Sequence, residues 1–426
     1  MPIVTSSPVK KASSESRPIF FKNARLAFPD FLIEGSLLVE GGKISGIWIN
    51  EEASNVPARA RSVDCEGLIL APGLIDIHNH GGMTHDFVGA NAEGNNVALK
   101  FHAENGVTAM LATVMTETHE QMSAALGLLA EQHAAGELHP NFLGIHIEGP
   151  YFHPDKRGAH RLECLRDPVR SEYEEFWKVS KGLIRIFTHA PERKGSAEFC
   201  QFFHERGCVP TIGHTRATMQ EIRQAAAYGA RHFVHANNAI DWPLRKPRVE
   251  GWLGTEMMGM GALLAHSAFS GEVISDGYHL PVEMIRVILA AKGTDNVAIV
   301  SDSCPAAGCV PGDYVQGGLK IILKENGLVI SGAGAMDSSG VPPLGGSATT
   351  QLAMIGNYVK WGFGLTTALK MSTAVPARII GEGKKGVLRA GNDADLILID
   401  DQANLHGTVI GGESVYSKGS LELRTK

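Results

Sequence analysis

The hydrophobic pattern changes character twice along the chain. From about Pro18 to Pro72, short apolar runs alternate with polar residues and are broken by Gly, Asp and Asn, as in EGSLLVEGGKISGIWI. Period-two alternation bounded by turn residues is the signature of strands. The same texture returns near the end, in GVLRAGNDADLILIDD and LHGTVIGGESVYSKG. Two β-rich pieces flanking a different middle predict one small β domain made from both ends of the chain, residues 18–70 and 385–426. Ahead of it, residues 1–17 are polar and Ser/Lys-rich and read as a flexible lead-in with no apolar signal core.

The middle, residues 71–384, has another rhythm. Apolar strand candidates recur at LIDIH (74–78), VTAMLATV (107–114), FLGIHIE (142–148), LIRIFTHA (183–190), CVPTIGH (208–214), HFVHA (232–236), EVISD (272–276) and VAIVSD (297–302). Helical spacing separates several of them. Over Glu117–Ala135, Met122, Leu126 and Leu129 fall near one face, and Met219–Ala230 and Val282–Ala291 behave similarly. Strand–helix alternation predicts a parallel sheet with crossover helices, and eight repeats favour a closed α/β (β/α)8 TIM-like barrel over an open sheet. A late excursion, LKIILKENGLVISG, carries Asn326–Gly327 between apolar runs and reads as a β-hairpin.

Composition narrows the classes. With 426 residues, 44% hydrophobic and 20% charged, a barrel of about 250 residues plus an appendage fits. A net charge of −6 gives no basic face for nucleic acid. No run reaches the roughly 20 apolar residues of a membrane span. The six cysteines form no CxxC and read as free thiols of a reducing compartment, with the cytoplasm the default.

Barrel active sites lie at the C-terminal ends of the strands, so the residues that end the eight strands carry the test. Strand one ends in His78-Asn79-His80. Alternate residues of a strand share a face, so both imidazoles reach one cation, as zinc requires; alone, such a pair is also a solvated turn, but here it precedes Gly81–Gly82, which lets backbone approach closely. Strand three ends in Glu148. A carboxylate finishing an otherwise apolar strand needs a cation, which a metal or an arginine supplies; His146, two residues earlier, sits deeper on the same face. His214 and His235 end strands five and six. Each alone reads equally well as a satisfied core histidine, but with Glu148 they make an open three-ligand set with room for water. Asp302 ends strand eight, placed to take a proton from metal-bound water, or else to serve a turn before Pro305. Asp276, ahead of the turn residue Gly277, is the second choice for that role.

At these residues the chain resembles the N-acetylglucosamine-6-phosphate deacetylases of the amidohydrolase superfamily. The matching words are APGLIDIHNHGG, HIEGPYF, RGAH, IGHT, VHANNAI, SDGYHL, VSDSCPAAG and GNDADLILID, in the family's order from about residue 68 to 400. The resemblance implies a distorted (β/α)8 barrel with a small β-sandwich from both termini. It implies Glu148, His214 and His235 as principal metal ligands, His78 and His80 as the pair that holds a second metal where present, and Asp302 as general base and acid. His160 would hold and polarise the acetyl carbonyl, Asn238 and Ala239 would contact phosphate, and His279 would touch the sugar. The implied cofactor is one or two divalent ions, zinc first, with Fe2+ or Mn2+ suiting overlapping ligands. The implied partners are a phosphorylated amino-sugar substrate and a second copy of the chain in a homodimer, with neither nucleic acid nor membrane.

The chain departs from the family at three places. Arg245, Lys246 and Arg248 in DWPLRKPRVEG crowd the place where the family has one phosphate-gripping arginine, often lent to a neighbouring subunit. His189 stands where an apolar residue is usual, and no strand-four lysine suited to carboxylation is evident. The competing expectations are a galacto-configured substrate, a dihydroorotase-like or aminoacylase-like amide hydrolase, and a barrel scaffold without catalysis.

Overall fold

The computed structural model describes residues 17–241, 258–332 and 341–418, together with the backbone of two strands, Leu244–Val249 and Trp252–Glu256. The first 16 residues of the expected lead-in lie outside the described residues.

Eight strands form one parallel sheet: β1 (Leu74–Asn79), β2 (Val107–Met115), β3 (Phe142–Glu148), β4 (Ile184–His189), β5 (Val209–Ile212), β6 (His232–Phe233), β7 (Ser270–Ile274) and β8 (Val297–Val300). They pair in chain order, all parallel. All nine residues of β2 are buried, as expected of parallel strands covered on both faces. The ring closes at its C-terminal rim, where Asn79 bridges Ser303 in parallel, His80 N donates to Ser303 O (2.8 Å) and Asp302 N donates to His78 O (2.9 Å). Closure therefore draws the ends of β1 and β8 together where the ionisable groups stand.

The crossover helices are bounded by local chemistry. His119–Ala135 begins at Thr118, whose side chain accepts from Gln121 N, and stops at Gly136 with φ 69°. Glu117, expected inside this helix, stays outside it, buried and paired with Arg161 (3.0 Å). Met219–Ala227 opens on a full capping box between Thr218 and Glu221. Met122, Leu126 and Leu129 are fully buried against the barrel, and each such side chain contributes about 2 kcal/mol by burial.

The ends of the chain meet in a separate eight-stranded sheet. Ile69–Pro72 pairs antiparallel with Leu396–Ile399, which joins the N-terminal strands between Ile19 and Asp64 to the C-terminal pair Leu405–Ile410 and Glu413–Ser417. The sheet wraps round its own core, in which Phe21, Leu37 and Ile44 pack with Leu396, Leu398 and Val409. Its curl brings Ala394 N to donate to Gly42 O (2.9 Å). The expected hairpin is the second half of a three-stranded antiparallel sheet, Gly312–Gln316, Leu319–Leu323 and Val329–Ser331, lying over the barrel mouth. All six cysteines are free.

Candidate metal centre and its cavity

Glu148, at the end of β3, is the hub. Its Oε1 lies 3.0 Å from His235 Nε2, 3.3 Å from His214 Nε2 and 3.3 Å from His78 Nε2; its Oε2 lies 3.2 Å from His80 Nε2 and 3.3 Å from His160 Nε2. Asp302 Oδ1 is 3.1 Å from His80 Nε2 and 3.5 Å from His78 Nε2. All seven side chains are buried. Residues spread from 78 to 302 thus meet within hydrogen-bond distance at one rim. Two overlapping groups, His78–His80–Glu148 and Glu148–His160–His214, bring ligand atoms close enough to share an ion.

The ring tautomers decide what this arrangement needs. His214 Nδ1 is 2.8 Å from Lys156 O. A carbonyl only accepts, so Nδ1 carries the proton and Nε2 presents a lone pair. That lone pair faces His235 Nε2 at 3.1 Å. His78 Nδ1 likewise donates to Glu272 Oε2 (2.9 Å), which aims the buried Nε2 at Glu148 and Asp302. Imidazole nitrogens and carboxylate oxygens aimed at one another surround a point that a cation would occupy, and imidazole with carboxylate is the donor set that borderline divalent metals take. The residues therefore fit a metal.

Electrostatics agree. Burial opposes charge on His80, yet Asp302 and Glu148 outweigh it and hold the imidazole up at about 9. Burial likewise pushes Asp302 toward protonation, but His80 and His78 overcome it and bring its carboxyl down to about 2. Burial, helped by the neighbouring His160 and His235, pulls His214 down to about 4, against only partial opposition from Glu148. Carboxylates that stay ionised without water draw positive charge into this cluster.

The backbone is strained where it turns these side chains inward. His214, His235 and Asp302 all have left-handed φ (48°, 23° and 46°), as does Ala239 (52°). Such conformations cost non-glycine residues of order 1–3 kcal/mol each and gather at functional sites. Gly149, with φ 87°, is obligatory: a Cβ there would stand 2.0 Å from Thr116 Oγ1.

A cavity of about 140 Å³ opens over the cluster, lined by Asn238, Ala239, His279, Gln316, Leu344 and the ligand groups. Asn238 Nδ2, His160 Nδ1 and Gln316 Oε1 are buried there without partners among the described residues, so donors and an acceptor face the space a ligand would fill. Asp276, the second choice for the base, is occupied otherwise: its Oδ1 accepts from Tyr278 N and His279 N, and its Oδ2 accepts from His279 Nδ1 (2.8 Å), which aims His279 Nε2 toward Asp302 Oδ2 at 3.8 Å. His146 lies below the cluster, its Nε2 2.8 Å from Thr188 Oγ1 and its ring edge-on to His78. His189 points away from the cluster, out of the barrel wall, to Thr211 O (2.9 Å) and Ser196 Oγ (2.9 Å) on the overlying helix. Arg245, Lys246 and Arg248 fall on the strand Leu244–Val249, antiparallel to Trp252–Glu256; their side chains lie outside the described residues.

Four contributors went unread in the sequence: Glu272, His232, Gln316 and the Lys156 carbonyl. Glu272 carried a signal, a carboxylate inside the apolar strand GEVIS, which is the argument that singled out Glu148. His232 opens the strand HFVHA and was passed over for the strand's last histidine, His235; Gln316 and the Lys156 carbonyl carried no signal, because they enter through the inserted sheet and a loop.

Comparison with known proteins agrees with the geometry. Residues 69–415 match the Amidohydrolase family. N-acetylglucosamine-6-phosphate deacetylases of Mus musculus and Bacillus subtilis are 30% and 29% identical, covering 93% and 90% of this chain and 95% and 93% of their own. The crystal structure of that enzyme from Pasteurella multocida superposes with a TM-score of 0.81 at 29% identity, over 93% of this chain and 99% of its own. A Mycobacterium smegmatis variant in complex with N-acetyl-D-glucosamine-6-phosphate gives 0.81 at 25%, over 94% and 100%. A D-hydantoinase, at 14% and 0.58, shares the fold alone.

Proposed function

This chain belongs to the Amidohydrolase family, and from that premise we propose that it hydrolyses the acetamide of N-acetylglucosamine 6-phosphate to acetate and glucosamine 6-phosphate. The observation that carries this reading is the convergence of five imidazoles on Glu148 beside Asp302, in a chain whose curated relatives are deacetylases of that sugar along nearly its whole length.

Glu148, His214 and His235 would hold a divalent metal, zinc in our reading, with His78 and His80 available to a second; when bound it supplies a Lewis acid that makes water a nucleophile near neutral pH. Asp302, ionised throughout the neutral range, takes a proton from the attacking water on a carboxylate oxygen. It later gives that proton to the sugar nitrogen as the C–N bond breaks. His160 stands beside Glu148 to donate to the acetyl oxygen as negative charge develops there. His279, held by Asp276, touches the sugar, and Asn238 and Ala239 line the wall where the phosphate would lie. Arg245, Lys246 and Arg248 would neutralise that phosphate, one of them reaching a neighbouring subunit of a homodimer. The setting is cytoplasmic in this reading; among the described residues no helix is long and apolar enough to cross a membrane.

The test is acetate release by the metal-loaded chain from N-acetylglucosamine 6-phosphate, its galacto epimer and the unphosphorylated sugar. The first should exceed the others by at least tenfold. Equal rates with and without phosphate would remove the phosphate from the reading, and no acetate from any of the three would refute the activity.

A further inference from the structure

Beneath the metal cluster lies a second set of polar side chains, Glu272 and His232 fully buried and Ser270 partly so, to which the hydrolytic steps above give no part. Glu272, on β7, is 0% exposed and does not line the cavity. Its Oε2 accepts from His78 Nδ1 (2.9 Å) and from the backbone N–H of His235 (3.2 Å). Its Oε1 accepts from His232 Nε2 (3.1 Å), and His232 Nδ1 is 2.8 Å from Ser270 Oγ at the start of the same strand. One carboxylate thus holds the side chain of one candidate ligand and the main chain of another, while a second histidine braces it from behind.

The isolation of Glu272 is what makes it informative. No lysine or arginine pairs with it among the described residues; its partners are two imidazoles and one amide. A buried carboxylate costs several kcal/mol unless it is compensated. Here compensation comes through a ring whose far nitrogen faces the metal cluster. A carboxylate on the distal N–H of a ligating imidazole fixes its tautomer and raises the basicity of the ligating nitrogen.

Building on the reading of His78 as a ligand, we propose that Glu272 is a positioning residue for metal binding. It holds His78 with Nε2 unprotonated toward Glu148 and Asp302, and His232, backed by Ser270, keeps Glu272 in place. Through the His235 amide it also ties the strand-one ligand pair to the strand-six ligand, so the two halves of the centre share one anchor.

Glu272→Gln separates charge from shape. The amide oxygen can still accept from His78, and His232 can turn its proton to Ser270 to receive the new N–H. Geometry survives, and the electrostatic support is lost. The measurement is zinc affinity by chelator competition, with bound metal counted by elemental analysis, on the full chain. Glu272→Gln should weaken the ion that depends on His78 by about 10–100-fold. In a His78→Ala background the same substitution should change affinity less than twofold, because the imidazole that carries its charge to the metal is gone and the amide oxygen still accepts from the His235 N–H. An unchanged affinity in the single variant, or an undiminished loss in the His78→Ala background, would overturn the proposal. If Glu272→Gln does not fold, His232→Leu removes the brace and should also weaken zinc, by at least threefold; unaltered binding there overturns it as well. Acetate release by the unsubstituted protein reports on the functional reading independently of these affinities.

Discussion

Asp302→Asn offers the most direct test of the assignments around the cluster. Asn is nearly isosteric with Asp and tolerates the left-handed backbone found there, φ 46°. The main-chain bonds that seat the residue, Asp302 N to His78 O (2.9 Å) and Ser347 N to Asp302 O (2.8 Å), do not involve the side chain. The fold should therefore survive. The amide, however, has no basic oxygen with which to take a proton from water or return one to the amine. Losing one general acid–base group costs 10²–10⁴-fold in rate, or about 3–5 kcal/mol of transition-state stabilisation. Asp302 acts twice in the proposed reaction, so the upper end of that range is expected. The assay is kcat for acetate release at saturating N-acetylglucosamine 6-phosphate, with metal content and thermal midpoint measured on the same preparation. A kcat within threefold of the unsubstituted protein, at equal metal content, would refute the role. Lost activity accompanied by lost metal would instead make Asp302 a ligand.

Two further predictions follow from the same geometry. His78→Ala combined with His80→Ala removes two of the imidazoles around Glu148 and should lower the metal per chain by elemental analysis; unchanged stoichiometry would confine binding to Glu148, His214 and His235. His189 is held down to about 4 by burial, from an ordinary 6.5, so its neutral form stabilises the fold fully above pH 6.5 and that contribution is lost as pH falls towards 4. The shift corresponds to about 3 kcal/mol. Urea unfolding from pH 7.5 to 4.5 should be steeper in pH for the unsubstituted protein than for His189→Gln, and parallel curves would contradict this.

The sequence by itself determined the order and type of the elements. Parallel strands buried on both faces must be apolar throughout, so VTAMLATVM and its seven counterparts stand out, and the polar residues that end them are conspicuous for that reason. Glu148, His214, His235 and Asp302 were legible because each breaks an apolar run at the end where barrels place their chemistry. The β texture at both ends of the chain announced a shared domain in the same way.

Distances, tautomers and support were decided only by the tertiary structure. Periodicity gives the face of a strand but not what stands opposite it. Thus Asp302 meets His80 only because the ring closes through Asn79 and Ser303. His189 had the same strand-end signal as His214, yet it faces the overlying helix, because alternation sends Thr188 inward to His146 and His189 outward. Glu272 stood out only as a carboxylate inside an apolar strand, and the barrel alone set it behind His78. Local physics specifies elements, whereas a metal centre is a set of long-range coincidences that exists only once the chain has closed on itself.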